Sequence, residues 1–181
     1  MELKEIFDQV IPNSKGIECL EILLCHNFQE QKNNYLALAN LLGNTTLCTA
    51  LINRGADLLA SDPFSSNLPI ASQIKDIELY KYAVELIDDI NRFDLKKDFN
   101  LLLSACFEGN IHKVKYLISK GANINVSNYQ GITPFYDACK KGDVDIVKYL
   151  IANRVENLYD SNINNKSPIS VALVKNIPFI F

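Results

Sequence analysis

Apolar residues along this chain come in short bursts, and each burst is long enough for one short helix. Between Gly131 and Arg154 the run GITPFYDACKKGDVDIVKYLIANR predicts two helices, the first led by proline, with Gly142-Asp143 breaking them apart. Thr133 stands where a helix N-cap accepts an orphan N–H, and Pro134 stands where a missing N–H costs nothing. Upstream, the apolar stretch Val114 to Ile118 predicts another helix, and Gly121 after it suits a left-handed C-terminal cap. Near the N-terminus, GIECLEILLCHNF places Ile17, Leu20, Ile22, Leu23 and Leu24 on an amphipathic helix. The chain ends NIPFIF, with Pro178 inside an expected helix and Phe179, Ile180 and Phe181 apolar.

These bursts repeat. Asn100–Asn125 laid over Thr133–Leu158 pairs Ala105-Cys106 with Ala138-Cys139, Gly109 with Gly142, and Lys115-Tyr116-Leu117-Ile118 with Lys148-Tyr149-Leu150-Ile151, at a constant offset of 33 residues. Two periods back, Ala39 falls on Ala105, Gly43-Asn44 on Gly109-Asn110, and Gly55-Ala56-Asp57 on Gly121-Ala122-Asn123. Ser66–Ile87 carries the second-helix pattern, Ile77, Leu79, Tyr80, Tyr82 and Ala83 answering Val144, Ile146, Val147, Tyr149 and Leu150, but lacks a Thr-Pro start. At the far end Ser167-Pro168 and Ala172 restart the pattern one residue late, with Asn165 in the place of Gly131; Asn enters left-handed backbone more readily than other non-glycine residues.

In period and in the residues Gly131, Thr133-Pro134, Ala138, Gly142, Ile146-Val147 and Leu150 the chain resembles the ankyrin-repeat family, with Tyr136 where the family carries His. The resemblance implies a mainly α solenoid of helix-turn-helix units with short hairpin loops, some repeats degenerate. The expected division is a helical N-terminal cap or degenerate repeat at 1–32, repeats at 33–65, 66–98 (degenerate), 99–131 and 132–164, and a partial repeat at 165–181. It also implies a concave recognition face made by hairpin tips and first helices. By aligned position that face takes Tyr129, Gln130, Ile132, Tyr136, Asp137, Lys140 and Lys141, with Phe107 and Glu108 from the preceding unit. Aromatic residues ringed by charge are the composition of interface hot spots.

Composition narrows the functional classes. A net charge of -3 offers no broad attraction to phosphate backbones, so nucleic acid is not the expected partner. Lys113, Lys115, Lys120, Lys140, Lys141 and Lys148 alternate with Glu108, Asp137, Asp143 and Asp145, which reads as a solvated helix face. The five cysteines, Cys19, Cys25, Cys48, Cys106 and Cys139, lack any C-x-x-C pair and sit in apolar helix patterns; no metal site and no disulfide framework is expected. MELKEIFDQV is neither a Sec-type signal nor an anchor, so the expected compartment is a reducing cytoplasm, and membrane insertion is not expected.

Catalytic patterns are weak. Cys25-His26 are neighbours that do not face each other on a helix, and Cys106 with His112 would have to meet across two helices. Asp88-Asp89 and Asp143/Asp145 fall at helix ends, and no phosphate-cradling loop or dinucleotide fingerprint is present. No cofactor is expected. What remains is non-catalytic binding of a protein partner. Asn-, Ile- and Lys-rich usage typical of AT-rich genomes, together with the family's spread through intracellular bacteria, protists and large viruses, suggests a bacterial effector translocated into a host cell and acting on host proteins. The competing expectation is a targeting module for a catalytic domain beyond residue 181. The apolar C-terminal end is a candidate surface for self-association or a further domain.

Overall fold

The computed structural model describes residues 32–60, 69–93 and 98–177. The N-terminal cap, with Cys19, Cys25 and His26, and the tail Pro178 to Phe181 lie outside the described residues. The chain divides into two units, 1–57 and 58–181.

In the first unit α1 (Lys32–Leu41) packs on α2 (Thr45–Asn53). Asn44 caps α2 by accepting the Leu47 N–H at 2.9 Å. Tyr35, Leu36, Ala39, Leu47, Cys48 and Leu51 form the shared core. The loop after α2 is tied back at both ends: Asp57 N–H donates to Asn33 Oδ1 at 2.7 Å, and Lys32 Nζ donates to the Arg54 carbonyl at 2.8 Å.

The second unit begins with a single 3₁₀ turn, Ile70–Gln73, and continues through α3 (Ile77–Glu85), α4 (Leu101–Glu108), α5 (Ile111–Ser119), α6 (Pro134–Lys141), α7 (Val144–Ala152) and α8 (Pro168–Val174). The contacts sort these elements into two rows. One runs from the 3₁₀ turn through α4 and α6 to α8; the other runs α3, α5, α7. Each of α4–α5 and α6–α7 also packs as a pair. The core between the rows is built from Tyr80, Leu101, Leu103, Leu117, Phe135, Ile146 and Leu150, with the small Ala105, Cys106, Ala138 and Cys139 allowing close approach of the first-row helices.

Among the described residues every α-helix of this unit starts on Asp, Asn, Thr or Ser. Asp76, Asn100, Asn110, Thr133, Asp143 and Ser167 each accept an N–H from the first turn with their side chains, as at Thr133 Oγ1, which takes the Tyr136 N–H at 3.0 Å. Left-handed backbone recurs on the same period. Gly109, Gly142 and Asn176 turn the chain after first helices; Gly121 and Arg154 follow second helices; Asp98, Gly131 and Asn165 close hairpin loops. Asn165, at φ 56°, adopts the glycine conformation that its position predicts. At Gly131 a side chain is excluded as well, since a Cβ would come within 2.9 Å of Asn162 Cα.

The unit expected at 66–98 departs from this scheme in its described residues. Its first helix shrinks to four residues. No glycine stands where Gly109 and Gly142 reverse their helices, so the chain leaves early through extended Ile74 and restarts on Asp76. The shortened turn leaves the Ser72 carbonyl open, and Lys113 fills the gap: its Nζ donates to that carbonyl, pairs with Glu108 Oε2 at 3.0 Å and lies 5.0 Å from the centre of the Tyr80 ring. Lys113 is only 4% exposed, in the register where α7 has Ile146, so it does not belong to the solvated face expected from the charge pattern. Three partners offset the cost of burying its ammonium group.

Arg154 holds φ 62° where Gly55 and Gly121 sit at 78° and 90°. Left-handed backbone costs a residue with a Cβ about 1–2 kcal/mol, part of which glycine gives back in unfolded-state entropy. Arg154→Gly is therefore expected to stabilise the chain by about 1 kcal/mol. A urea midpoint at or below wild type would contradict this.

Candidate functional site

The nine residues predicted for the recognition face separate into three groups. Tyr129, Gln130 and Ile132 share one hairpin loop. Asn128 clasps it: its Oδ1 accepts the N–H groups of Gln130 and Ile132 at 3.0 and 2.8 Å, and its backbone N–H reaches the Ile132 carbonyl at 3.0 Å. Asn162 repeats the arrangement on the next loop, accepting from Asn164 and Lys166 at 3.0 and 3.1 Å. The loops are also joined to each other. Both carboxylate oxygens of Asp98 accept the Tyr129 N–H at 2.8 Å, and Ile163 N–H donates to the Gln130 carbonyl at 3.0 Å. On this fixed backbone the Tyr129 side chain is 74% exposed.

Phe107, Glu108, Lys140 and Lys141 form the second group, at the far ends of α4 and α6. Lys141 Nζ donates to the Phe107 carbonyl at 3.0 Å and to the Glu108 carbonyl, so its charge meets the negative end of α4. Phe107 packs edge-on against Phe99 with centroids 6.1 Å apart and stays 48% exposed. An open cleft of about 550 Å³ adjoins it, lined by Ser72, Lys75, Glu108, His112 and Lys113. Eight helical residues, about 12 Å, separate this group from the hairpin.

Tyr136 and Asp137 form the third group, and both are buried, at 6% and 5% exposure. They lie in the first turns of α6, a helix covered on one flank by α4 and on the other by α8. Both therefore present little surface of their own.

Sequence reasoning missed Asp98, Asn162, Ile163 and the Lys113 cluster. The signals were there: an Asp in the register of Gly131, and a Lys in the register of an apolar core residue. The Tyr80 hydroxyl, buried beside Lys113 without a hydrogen-bond partner, is held well above the ordinary phenol range by burial, with Glu108 and Tyr116 adding.

The described cysteines, Cys48, Cys106 and Cys139, are core residues. Burial pushes the Cys48 thiol up to about 11 and Cys139 to about 12; Cys106 is raised further by burial, with Asp137 and Asp143 adding. Cys106 is buried while His112 is exposed, so the two do not form a nucleophile and base. Among the described residues no three His, Cys, Asp or Glu side chains gather as a metal site, and no helix is long and apolar enough to cross a membrane.

Comparison with known proteins matches the same residues. A family model described as "Ankyrin repeats (many copies)" covers residues 102–151, the segment from α4 to α7. This segment of the chain carries ankyrin repeats. Its repeats are protein-interaction modules. Over 138 residues, or 75% of its length, the chain is 25% identical to the ankyrin repeat and KH domain-containing protein mask-1 of Caenorhabditis elegans. It is 25% identical over 159 residues to the putative ankyrin repeat protein FPV031 of Fowlpox virus, and 41% identical over 51 residues, 28% of the chain, to human protein phosphatase 1 regulatory subunit 27. The chain spans 5%, 47% and 33% of these relatives.

Asp137 gives a titration signature. Burial raises its carboxyl from 3.8 to about 6, against the opposing pull of Lys140 and Lys141, and its Oδ2 has no partner. The folded chain therefore binds this proton more tightly than the unfolded chain. Stability falls as pH climbs from about 4 to about 6, by about 3 kcal/mol in full. Asp137→Asn is expected to gain about 1–3 kcal/mol at neutral pH and to flatten the slope in that window. Urea midpoints at both ends of the window would decide it, and an unchanged slope would contradict the assignment.

Proposed function

We propose that this chain is a non-catalytic recognition module that binds a protein partner through its hairpin loops and the exposed ends of its first helices. The observation that carries this reading is Tyr129. Its backbone is fixed by Asp98 and Asn128 while its ring stands in solvent, so binding would bury an aromatic side chain without ordering the chain that bears it. Phe107, Glu108, Gln130, Ile132, Lys140 and Lys141 complete the contact surface, and Tyr136 and Asp137 support it from below. The repeat units are proposed at 33–65, 66–98, 99–131 and 132–164, with a partial unit at 165–181.

The proposed setting is an effector in the cytoplasm of a host cell, acting on host proteins. Support comes from the Asn-, Ile- and Lys-rich composition and from relatives in Fowlpox virus and Monkeypox virus. A second reading, a targeting module within a longer protein, draws on relatives whose names pair ankyrin repeats with a KH or SAM domain.

The test is capture from host-cell lysate. The wild-type chain is compared with a variant carrying Phe107, Tyr129, Gln130 and Lys140 changed to Ala, after circular dichroism shows equal helicity. A partner retained by wild type and lost at least about tenfold by the variant is expected, since hot-spot truncations cost about 2 kcal/mol or more. Equal retention by both would remove this face from the function.

A further inference from the structure

The loop leading into α6 and the loop following α7 enclose a hollow of about 390 Å³ that shares no residue with the surface described above. Its wall includes Ser127, Thr133, Glu156, Asn157, Asp160 and Ser161, and among the described residues no basic side chain lines it. Glu156 and Asp160 are exposed carboxylates, so the hollow carries two charges of one sign.

Asn157 supplies an independent signal. The residue is 7% exposed and its Nδ2 donates to the Asn125 carbonyl at 3.4 Å, yet its Oδ1 is buried with no donor. Asn125 in turn is held, its own Oδ1 accepting the Glu156 N–H at 2.9 Å. A buried acceptor is rarely left unsatisfied in a folded protein. What the hollow lacks is a donor for Asn157 Oδ1 and a positive charge to face its carboxylates.

We propose that this hollow is a recognition pocket for an arginine side chain presented by a protein partner. A guanidinium group is a planar fork of N–H donors that engages a carboxylate with two parallel bonds and keeps others free for an amide oxygen. Glu156 and Asp160 supply the carboxylates, Asn157 the amide oxygen, and the hydroxyls of Ser127 and Ser161 the remaining acceptors. A calcium ion fits less well. It takes roughly six to eight oxygen ligands, usually with several carboxylates, and only two line this hollow. The inference rests on the chain being a protein-binding module, but not on which face the partner covers.

The experiment is an NMR titration of the ¹⁵N-labelled full chain with acetyl-Gly-Arg-Gly-amide, with the uncharged citrulline peptide as control. Saturable shifts are expected at the backbone amides of Asn125, Ser127 and Asn157 and at the Asn157 side-chain NH₂, with the citrulline peptide at least about tenfold weaker. The double variant Glu156→Gln, Asp160→Asn should keep the spectrum of the folded chain and lose affinity by a similar factor. The proposal is overturned if both peptides act alike, if the shifts persist in the double variant, or if calcium chloride moves these signals and the arginine peptide does not. Glu156 and Asp160 are untouched in the lysate-capture variant, so failure here and failure of the proposed recognition face are separate results.

Discussion

Among the described residues no helix exceeds ten residues, and most have seven to nine. Isolated helices shorter than about 12–15 residues are marginal in water, because nucleation costs more than so few hydrogen bonds return. The helices of this chain therefore exist because they are stacked. In the second unit each first-row helix is covered by the next, from the 3₁₀ turn through α4 and α6 to α8. Fully buried Leu103, Phe135 and Leu150 supply the apolar contact. Side-chain caps and left-handed turns fix where each helix begins and ends, so that the rows stay in register.

The proposed recognition surface inherits its stiffness from this stacking. Hairpin loops would be mobile if they depended on their own few contacts, but the loops at 128–132 and 162–166 are each clasped by an Asn side chain and bonded to one another. A second set of ties runs behind them, Asn91 and Asn125 accepting the N–H groups of Asn123 and Glu156 from the following repeat at 2.7 and 2.9 Å. Asparagine is frequent in this chain, and Asn33, Asn91, Asn125, Asn128 and Asn162 serve as these hydrogen-bonding clasps and ties. The result is a set of exposed side chains, among them Tyr129, on a backbone that has little freedom left to lose.

Where the sequence follows the period it is also legible. Thr133-Pro134 marks a capped helix start, Gly121 and Gly142 mark left-handed turns, and Asn165 could be recognised as a glycine substitute from its register alone. Lys113 could not be placed this way. Its burial depends on a neighbouring first helix that collapses to four residues for want of a turning glycine, a fact about another part of the chain. The burial of Tyr136 and Asp137 was hidden for a related reason: position in the repeat says which side of the helix they occupy, but not that α4 and α8 pack against that helix. The hollow at Asn157 is built from two loops 32 residues apart and has no local signature at all.

The central claim is that stability lies between repeats more than within them. Hydrogen exchange on the full chain tests it most directly, comparing wild type with Phe135→Ala, which removes a fully buried side chain from α6. Such a truncation typically costs about 3–5 kcal/mol. If stacking governs, amide protection falls in α4 and α8 as well as in α6 and α7. Loss of protection confined to α6 and α7, with both neighbours exchanging as in wild type, would contradict it.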